Sequence, residues 1–457
     1  MDFISPVFLF LFLPLFIFIY SLSRKRFKFF IGIAGSLLFY AWGNSQHVLL
    51  IIGIVLFTYG AAWLLDKWRA TQYSLYILWA GIILTIGLLI GFKLQQGVEY
   101  PLGLSYIAFQ VISYLVDAYK APENHEKDIL KFSFYLLLFP KILVGPIVPY
   151  RQVKAQIEDL RSVPQDMADG LRRFLKGFIK KVLIADTLAT VVTPIFNLSS
   201  PTITPGFAWL IIISYSLQLY YDFSGYTDMA IGLGNMMGIR FMENFNFPYL
   251  SKSISDFWRR WHISLSTWFR EIVFYPLERH RYKWYGQQIN ILIVFILTGL
   301  WHGLTRNFLL WGLFHGSVLV FESTGLGRKL RNLWMPLQHL YTLLVILVGW
   351  VIFRSPTPDF AFDFLRRLAG DMNGIQILPF ELTSPLPIIE PTYLMALILG
   401  FVFCFQWEGW LHRLFPNLKN DQIALRIIFD AILLFVFFVA LASSASATYR
   451  PGIYGGF

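Results

Sequence analysis

Cysteine and charge are what this chain most lacks. A single cysteine, Cys404, stands among 457 residues, which excludes an internal disulfide framework and a cysteine-built metal site within one chain. Charged residues make up 14% of the sequence, whereas soluble domains carry roughly a quarter. No HExxH motif occurs, so metal-assisted hydrolysis has little support. Internal repeats and an inserted soluble domain are also missing. The missing repeats count against a transporter or flippase built from duplicated halves.

What is present is apolar. Hydrophobic residues make up 56% of the chain and aromatic residues 18%, the composition of an all-α polytopic membrane protein. Ile4–Leu22 is apolar over about a bilayer thickness and is followed by Arg24-Lys25-Arg26. No basic region precedes it and no small-residue cleavage site marks it, so it reads as a retained span and not a removed signal. Further apolar segments recur near 29–43, 47–65, 74–94, 101–118, 129–148, 174–197, 206–221, 287–304, 307–321, 338–353, 391–411 and 423–443. Two or three of these read as re-entrant or interfacial, leaving about 11 transmembrane helices in one membrane domain over residues 1–457.

The formal net charge of +11 does not point to nucleic acid. The charges fall in short loops, where they set orientation and meet anionic lipid headgroups. Arg24–Lys28, Lys67/Arg69 and Lys120–Lys131 alternate with turns that hold no basic residue, which fits a cytoplasmic place for each basic loop. Residues 150–181 carry eight basic side chains against four acids and also read as cytoplasmic, although a full span before them would put them outside. The intervening Phe139-Pro140-Lys141…Gly145-Pro146 therefore reads as re-entrant, with an ordinary kinked span as the alternative. A second irregular element is expected over 222–256, with Asp222 and Asp228 flanking a turn at Phe223-Ser224-Gly225-Tyr226.

Two histidines then stand out. Asp256–Tyr275 reads as one amphipathic helix, capped by Ser255 and stopped by Pro276, with Phe257, Trp258, Trp261, Leu265 and Trp268 on one face. His262 falls on that face. The second, His302, closes Gly299-Leu300-Trp301-His302-Gly303 about three-quarters along the span 287–305. The Gly299/Gly303 pair leaves a groove for a neighbouring helix or a thin acyl chain. His315 repeats the aromatic-His-Gly pattern one span later. Imidazole suits proton transfer near neutral pH, and ionisable groups at membrane depth are retained mainly where they work or find a partner. The plain alternatives are a satisfied core histidine at 262 and a helix-packing glycine pair beside 302. His47, His125, His280, His339 and His412 read as surface residues.

These blocks resemble the membrane-bound O-acyltransferase family. The resemblance runs through Val7–Pro14, Pro101–Tyr106, Leu138–Ile147, Tyr221-Asp222-Phe223-Ser224-Gly225-Tyr226-Thr227-Asp228-Met229-Ala230, Asn244–Tyr249, Phe257–Ser266 and Leu300–Gly303. Within the family, the branch that acetylates exported polysaccharides such as alginate is nearest; a D-alanyl transfer protein of teichoic acid modification is the cousin to exclude. The resemblance implies a ring of helices around a thin core with a tunnel, sited in a bacterial cytoplasmic membrane. It implies that His302 and His262 are catalytic, and that Trp261, Trp301, Gly299, Gly303, His315, Ser264 and Asp222 line the substrates. It further implies acetyl-CoA (or an acyl carrier) as donor substrate, no permanently bound cofactor, and an extracytoplasmic acetyltransferase partner. The anionic donor would suit the basic surface of residues 150–181; topology-setting charge explains that surface equally well. One departure is Pro276-Leu277-Glu278-Arg279-His280-Arg281, where the family usually continues with a proline-leucine-glycine-glycine-asparagine-arginine turn.

Overall fold

The computed structural model describes residues 1–95, 97, 99–161, 163–198, 203–281, 283–284, 286–330, 332–373, 389–406 and 423–446. Among these residues every regular element is helical. The chain divides into two compact units, Met1–Phe178 with Tyr226–Glu243, and Ile179–Gly225 with Asn244–Gly456.

The first unit contains α1 (Phe8–Leu22), α2 (Lys25–Asn44), α3 (Val48–Lys67), α4 (Tyr73–Leu94), α5 (Leu104–Lys120), α6 (Ile129–Leu137), α7 (Tyr150–Glu158) and α8 (Pro164–Ile179). Phe8, Phe12, Phe16 and Tyr20 recur every four residues, so their rings pile along one face of α1 at centroid spacings of 5.5–5.6 Å. Phe139 meets Phe12 and Phe16 edge-on, at 5.5 and 5.3 Å, the arrangement that ring quadrupoles favour. The helix after Asp128 ends at Leu137, and only one turn, Phe139–Ile142, follows before Tyr150. That stretch is largely buried, so the expected break in the span near Pro140 is present and is covered by protein, as irregular backbone at depth requires. Elsewhere α2, α3 and α4 expose large apolar side chains such as Leu38, Leu49, Leu56 and Ile83. Such a surface suits lipid, not water.

The second unit contains α9 (Thr187–Phe196), which continues the preceding helix through a wider π turn at Lys180–Asp186, and the first part of α10 (Pro205–Met236). It also holds α11 (Ile254–Arg260), α12 (Ile263–Phe269), α13 (Tyr275–Arg279), α14 (Gly286–His302), α15 (Arg306–Ser323), α16 (Met335–Arg354), α17 (Pro358–Leu368), α18 (Pro391–Phe403) and α19 (Ile423–Ser446). Among the described residues, four helical stretches are long and apolar enough to cross a bilayer: Lys25–Lys67, Tyr73–Leu94, Met335–Arg354 and Arg426–Ala445. Phe8–Leu22 and Pro391–Phe403 are shorter apolar helices. This is an all-α polytopic membrane protein.

Several expectations are corrected. Asp222 to Asp228 is no turn: α10 runs helical through both, and the irregular chain is confined to residues 237–253. The single helix expected over Asp256–Tyr275 is broken at Trp261-His262, because His262 adopts a left-handed backbone, φ 44° and ψ 54°. Its cap is Ser253 and not Ser255: the Ser253 hydroxyl accepts from the Asp256 N–H at 3.0 Å. Pro276 does not stop the chain's helix but sits in the first turn of α13, where its missing N–H costs nothing. His47 and His125 are buried, not surface residues; His47 Nδ1 lies 2.8 Å from Asn44 Oδ1, and His125 faces Asp66 at 3.5 Å. His280 is exposed as expected, and His339 is half-buried. His412 and the end of the segment expected over 391–411 lie outside the described residues.

Candidate active site

The first histidine is built by a loop. Residues 244–247 run beside the break between α11 and α12 and are tied to it by two backbone bonds: Asn246 N–H to Arg260 O at 2.9 Å, and Ile263 N–H to Asn244 O at 3.0 Å. The Asn244 side chain completes the clamp. Its Oδ1 accepts from the Ser264 N–H at 3.1 Å and the Ser264 hydroxyl at 2.9 Å, and lies 3.2 Å from His262 Nδ1. The Phe223 ring meets the imidazole edge-on at 4.6 Å. A left-handed backbone costs a non-glycine residue roughly 1–2 kcal/mol, so these bonds hold a conformation that helix propensity would not choose. The break is fixed at its far end as well, where the Glu322 carboxylate accepts from the N–H groups of Ile254 and Ser255 at 2.7 and 2.9 Å. A carboxylate there meets the positive end of the helix dipole.

The second histidine is built by helix packing. His302 is the last residue of α14, not a residue three-quarters along it. A Cβ on Gly299 would strike the Phe308 carbonyl, and one on Gly312 would strike that of Phe295, so only glycine lets α14 and α15 approach this closely. Gly303 faces the Phe308 ring. The glycine pair therefore turns toward the neighbouring helix, which is one of its two expected uses. Rings then enclose the imidazole: Trp301 at 4.6 Å, Phe353 at 5.0 Å, Trp311 at 5.4 Å and Phe308 at 6.1 Å. A proton taken up at this helix end meets the negative pole of the helix dipole.

Trp301 joins the two, with its ring 6.4 Å from that of His262 as well. Both histidines are buried. Trp261 packs on Phe257, Phe245 and Trp350 in the wall beside them, at 5.0–5.5 Å, and Ser264 belongs to the Asn244 clamp. His315 is placed differently. It sits in a box of Trp258, Trp311 and Phe314 at 5.1–5.2 Å, with its Nε2 directed at Gly349. Asp222 is drawn into a buried ion cluster, 2.6 Å from Lys181 Nζ, which also meets Asp186 at 2.5 Å. Lys181 is thus no part of a basic surface. Within the first unit, Arg173 is likewise engaged by Asp228 and Glu243, and Arg151 by Asp117. Among the described residues no three of His, Cys, Asp or Glu gather as a metal would need.

The residue given no role by sequence reasoning is Asn244, which entered only within the irregular stretch 222–256 and as the first residue of the block Asn244–Tyr249. Its partners lie 18 and 20 positions away, and no local periodicity reports such a contact. Phe353 and Trp311 were hidden for the same reason.

Two buried imidazoles near one indole, behind aromatic walls that exclude water, suit proton transfer in a medium of low dielectric. The comparisons with known proteins agree with that chemistry. The chain is 37% identical over 418 residues to the Azotobacter vinelandii protein named Probable alginate O-acetylase AlgI, covering 84% of this chain and 82% of the relative. It is 28% identical over 479 residues to the Peptidoglycan O-acetyltransferase of Helicobacter pylori, covering 91% and 90%. It is 31% identical over 261 residues to the Teichoic acid D-alanyltransferase of Bacillus subtilis, covering 54% and 65%. The family model for MBOAT, the membrane-bound O-acyltransferase family, matches residues 37–346, a stretch that contains both histidines and the whole Asn244 clamp. This chain belongs to the membrane-bound O-acyltransferase family and is an O-acyltransferase.

Proposed function

We propose that this enzyme moves an acetyl group from a cytoplasmic thioester, acetyl-CoA, toward hydroxyls of an exported polysaccharide such as alginate, from a bacterial cytoplasmic membrane. The observation that carries the proposal is the buried pair His262 and His302, whose rings lie 6.4 and 4.6 Å from that of Trp301. A thioester is already activated, so the protein has to align the reactants and take one proton. His302 acts as general base toward the hydroxyl, an effect worth roughly 10²–10⁴ in rate. The hydroxyl oxygen bonds to the carbonyl carbon, the C–S bond breaks, and the proton passes through the imidazole to the departing sulfur. His262 orients the reacting groups. Alignment behind the aromatic walls adds to the effect of the base.

An extracytoplasmic acetyltransferase partner receives the group and decorates the polymer. A D-alanyl donor on a carrier protein is the second reading, supported by a relative that matches over about half of the chain. Neighbouring carrier-protein and adenylating-enzyme genes would favour it.

Membranes containing the wild type, His302→Ala or His262→Ala, supplied with labelled acetyl-CoA, test the proposal. Label entering an acceptor fraction in the wild type and falling in both variants is expected. Undiminished labelling in His302→Ala removes the base, and transfer from a D-alanyl carrier alone replaces the donor.

A further inference from the structure

The bonds around Asn244 settle which nitrogen of His262 carries its hydrogen. A backbone N–H can only donate, so the Asn244 atom 3.1 Å from the Ser264 nitrogen is the amide oxygen. The same oxygen lies 3.2 Å from His262 Nδ1. An amide oxygen only accepts, so Nδ1 bears the hydrogen. A neutral imidazole has one N–H, which leaves the lone pair on Nε2. That nitrogen is buried and has no hydrogen-bond partner among the described residues. Asn244 and His262 are 1% and 2% exposed. Water therefore does not compete for either bond, and Phe223 holds the ring against rotation.

We propose that Asn244 is a positioning residue that holds His262 as the Nδ1–H tautomer, so that the nitrogen left for the reactants is a hydrogen-bond acceptor. The step rests on the acyl-transfer reading of the two-histidine site. In this state His262 orients by accepting and has no second hydrogen to give the thioester carbonyl. Its place is with the hydroxyl-bearing reactant: it holds a neighbouring O–H or N–H of that molecule while His302 takes the proton of the attacking hydroxyl. The C–O bond forms, the C–S bond breaks, and the proton ends on sulfur with no further reactant.

Nitrogen-15 spectra of the histidine-labelled full chain in lipid discs test this, with the His262 signals identified by their loss in His262→Gln. The expected spectrum shows a protonated Nδ1 and an unprotonated Nε2; a protonated Nε2 on the neutral ring overturns the proposal. Asn244→Asp keeps an acceptor facing Nδ1 and should retain both the tautomer and most of the activity. Asn244→Leu should mix the tautomers and lower kcat about 10- to 100-fold, with KM for the thioester within about twofold. A pure Nδ1–H tautomer in Asn244→Leu refutes the role. Should that variant not fold, the wild-type and Asn244→Asp spectra decide. The tautomer is read without turnover, so a wild-type spectrum of the expected kind beside absent acetyl transfer would sink the acyl-transfer reading and leave the role of Asn244 standing.

Discussion

His262 and His302 both lie near the Trp301 indole yet are held by different physics. His262 sits in a strained left-handed turn, and polar bonds from one asparagine fix its backbone and its ring together. His302 ends a regular helix, and four aromatic rings together with two backbone-to-backbone glycine contacts set where it stands. Rings fix a position firmly but say little about where a hydrogen lies. An amide oxygen specifies the hydrogen directly, at the cost of a conformation the chain would otherwise avoid. A site that must both take a proton and orient a reactant gains from having one imidazole of each kind.

That contrast can be broken from either side. The largest effect expected is on turnover: His302→Ala should lower acetyl transfer by roughly 10²–10⁴. Thermal unfolding of the solubilised protein should change far less than the rate does. Next comes Gly299→Ala, which forces a methyl group against the Phe308 carbonyl. It should destabilise the protein by about 1–3 kcal/mol and lower transfer through a displaced His302, read from melting and labelling of the same preparation. For the strained partner, His262→Gly and His262→Ala should lose transfer alike, yet the glycine variant should be more stable by about 1–2 kcal/mol, because only it relieves the left-handed backbone. Equal melting of the two would remove strain from the account. The smallest change expected is in Ser264→Ala, which deletes one hydroxyl bond to Asn244 and should cost about 0.5–1.5 kcal/mol, while the Ser264 N–H still holds the amide oxygen in place.

The parts of this site that could be read in the sequence are the local ones. The apolar runs and the break near Pro140 are short-range patterns, and among the described residues they reappear as helices and as a gap between helices. The amphipathic spacing of Asp256–Tyr275 was equally clear, yet it predicted one helix where there are three short helices and a π turn. Periodicity reports which face is apolar and is blind to a single residue turned left-handed by a partner 18 positions away. The basic run 150–181 shows the same limit. Its charges are easy to count, but three of them pair with acids elsewhere in the chain: Asp222 for Lys181, Asp228 and Glu243 for Arg173, and Asp117 for Arg151, whereas Arg161 and Arg172 pair within the run.

By itself the sequence determined the solvent of this protein, its helical class, the family blocks and the two imidazoles, because hydropathy and residue chemistry are properties of neighbours along the chain. Only the tertiary structure decided that His302 ends its helix within a cage of rings, that Asp222 serves an ion cluster, and that Asn244 grips His262. Those are contacts between distant segments, and burial, not spacing, gives each of them its strength.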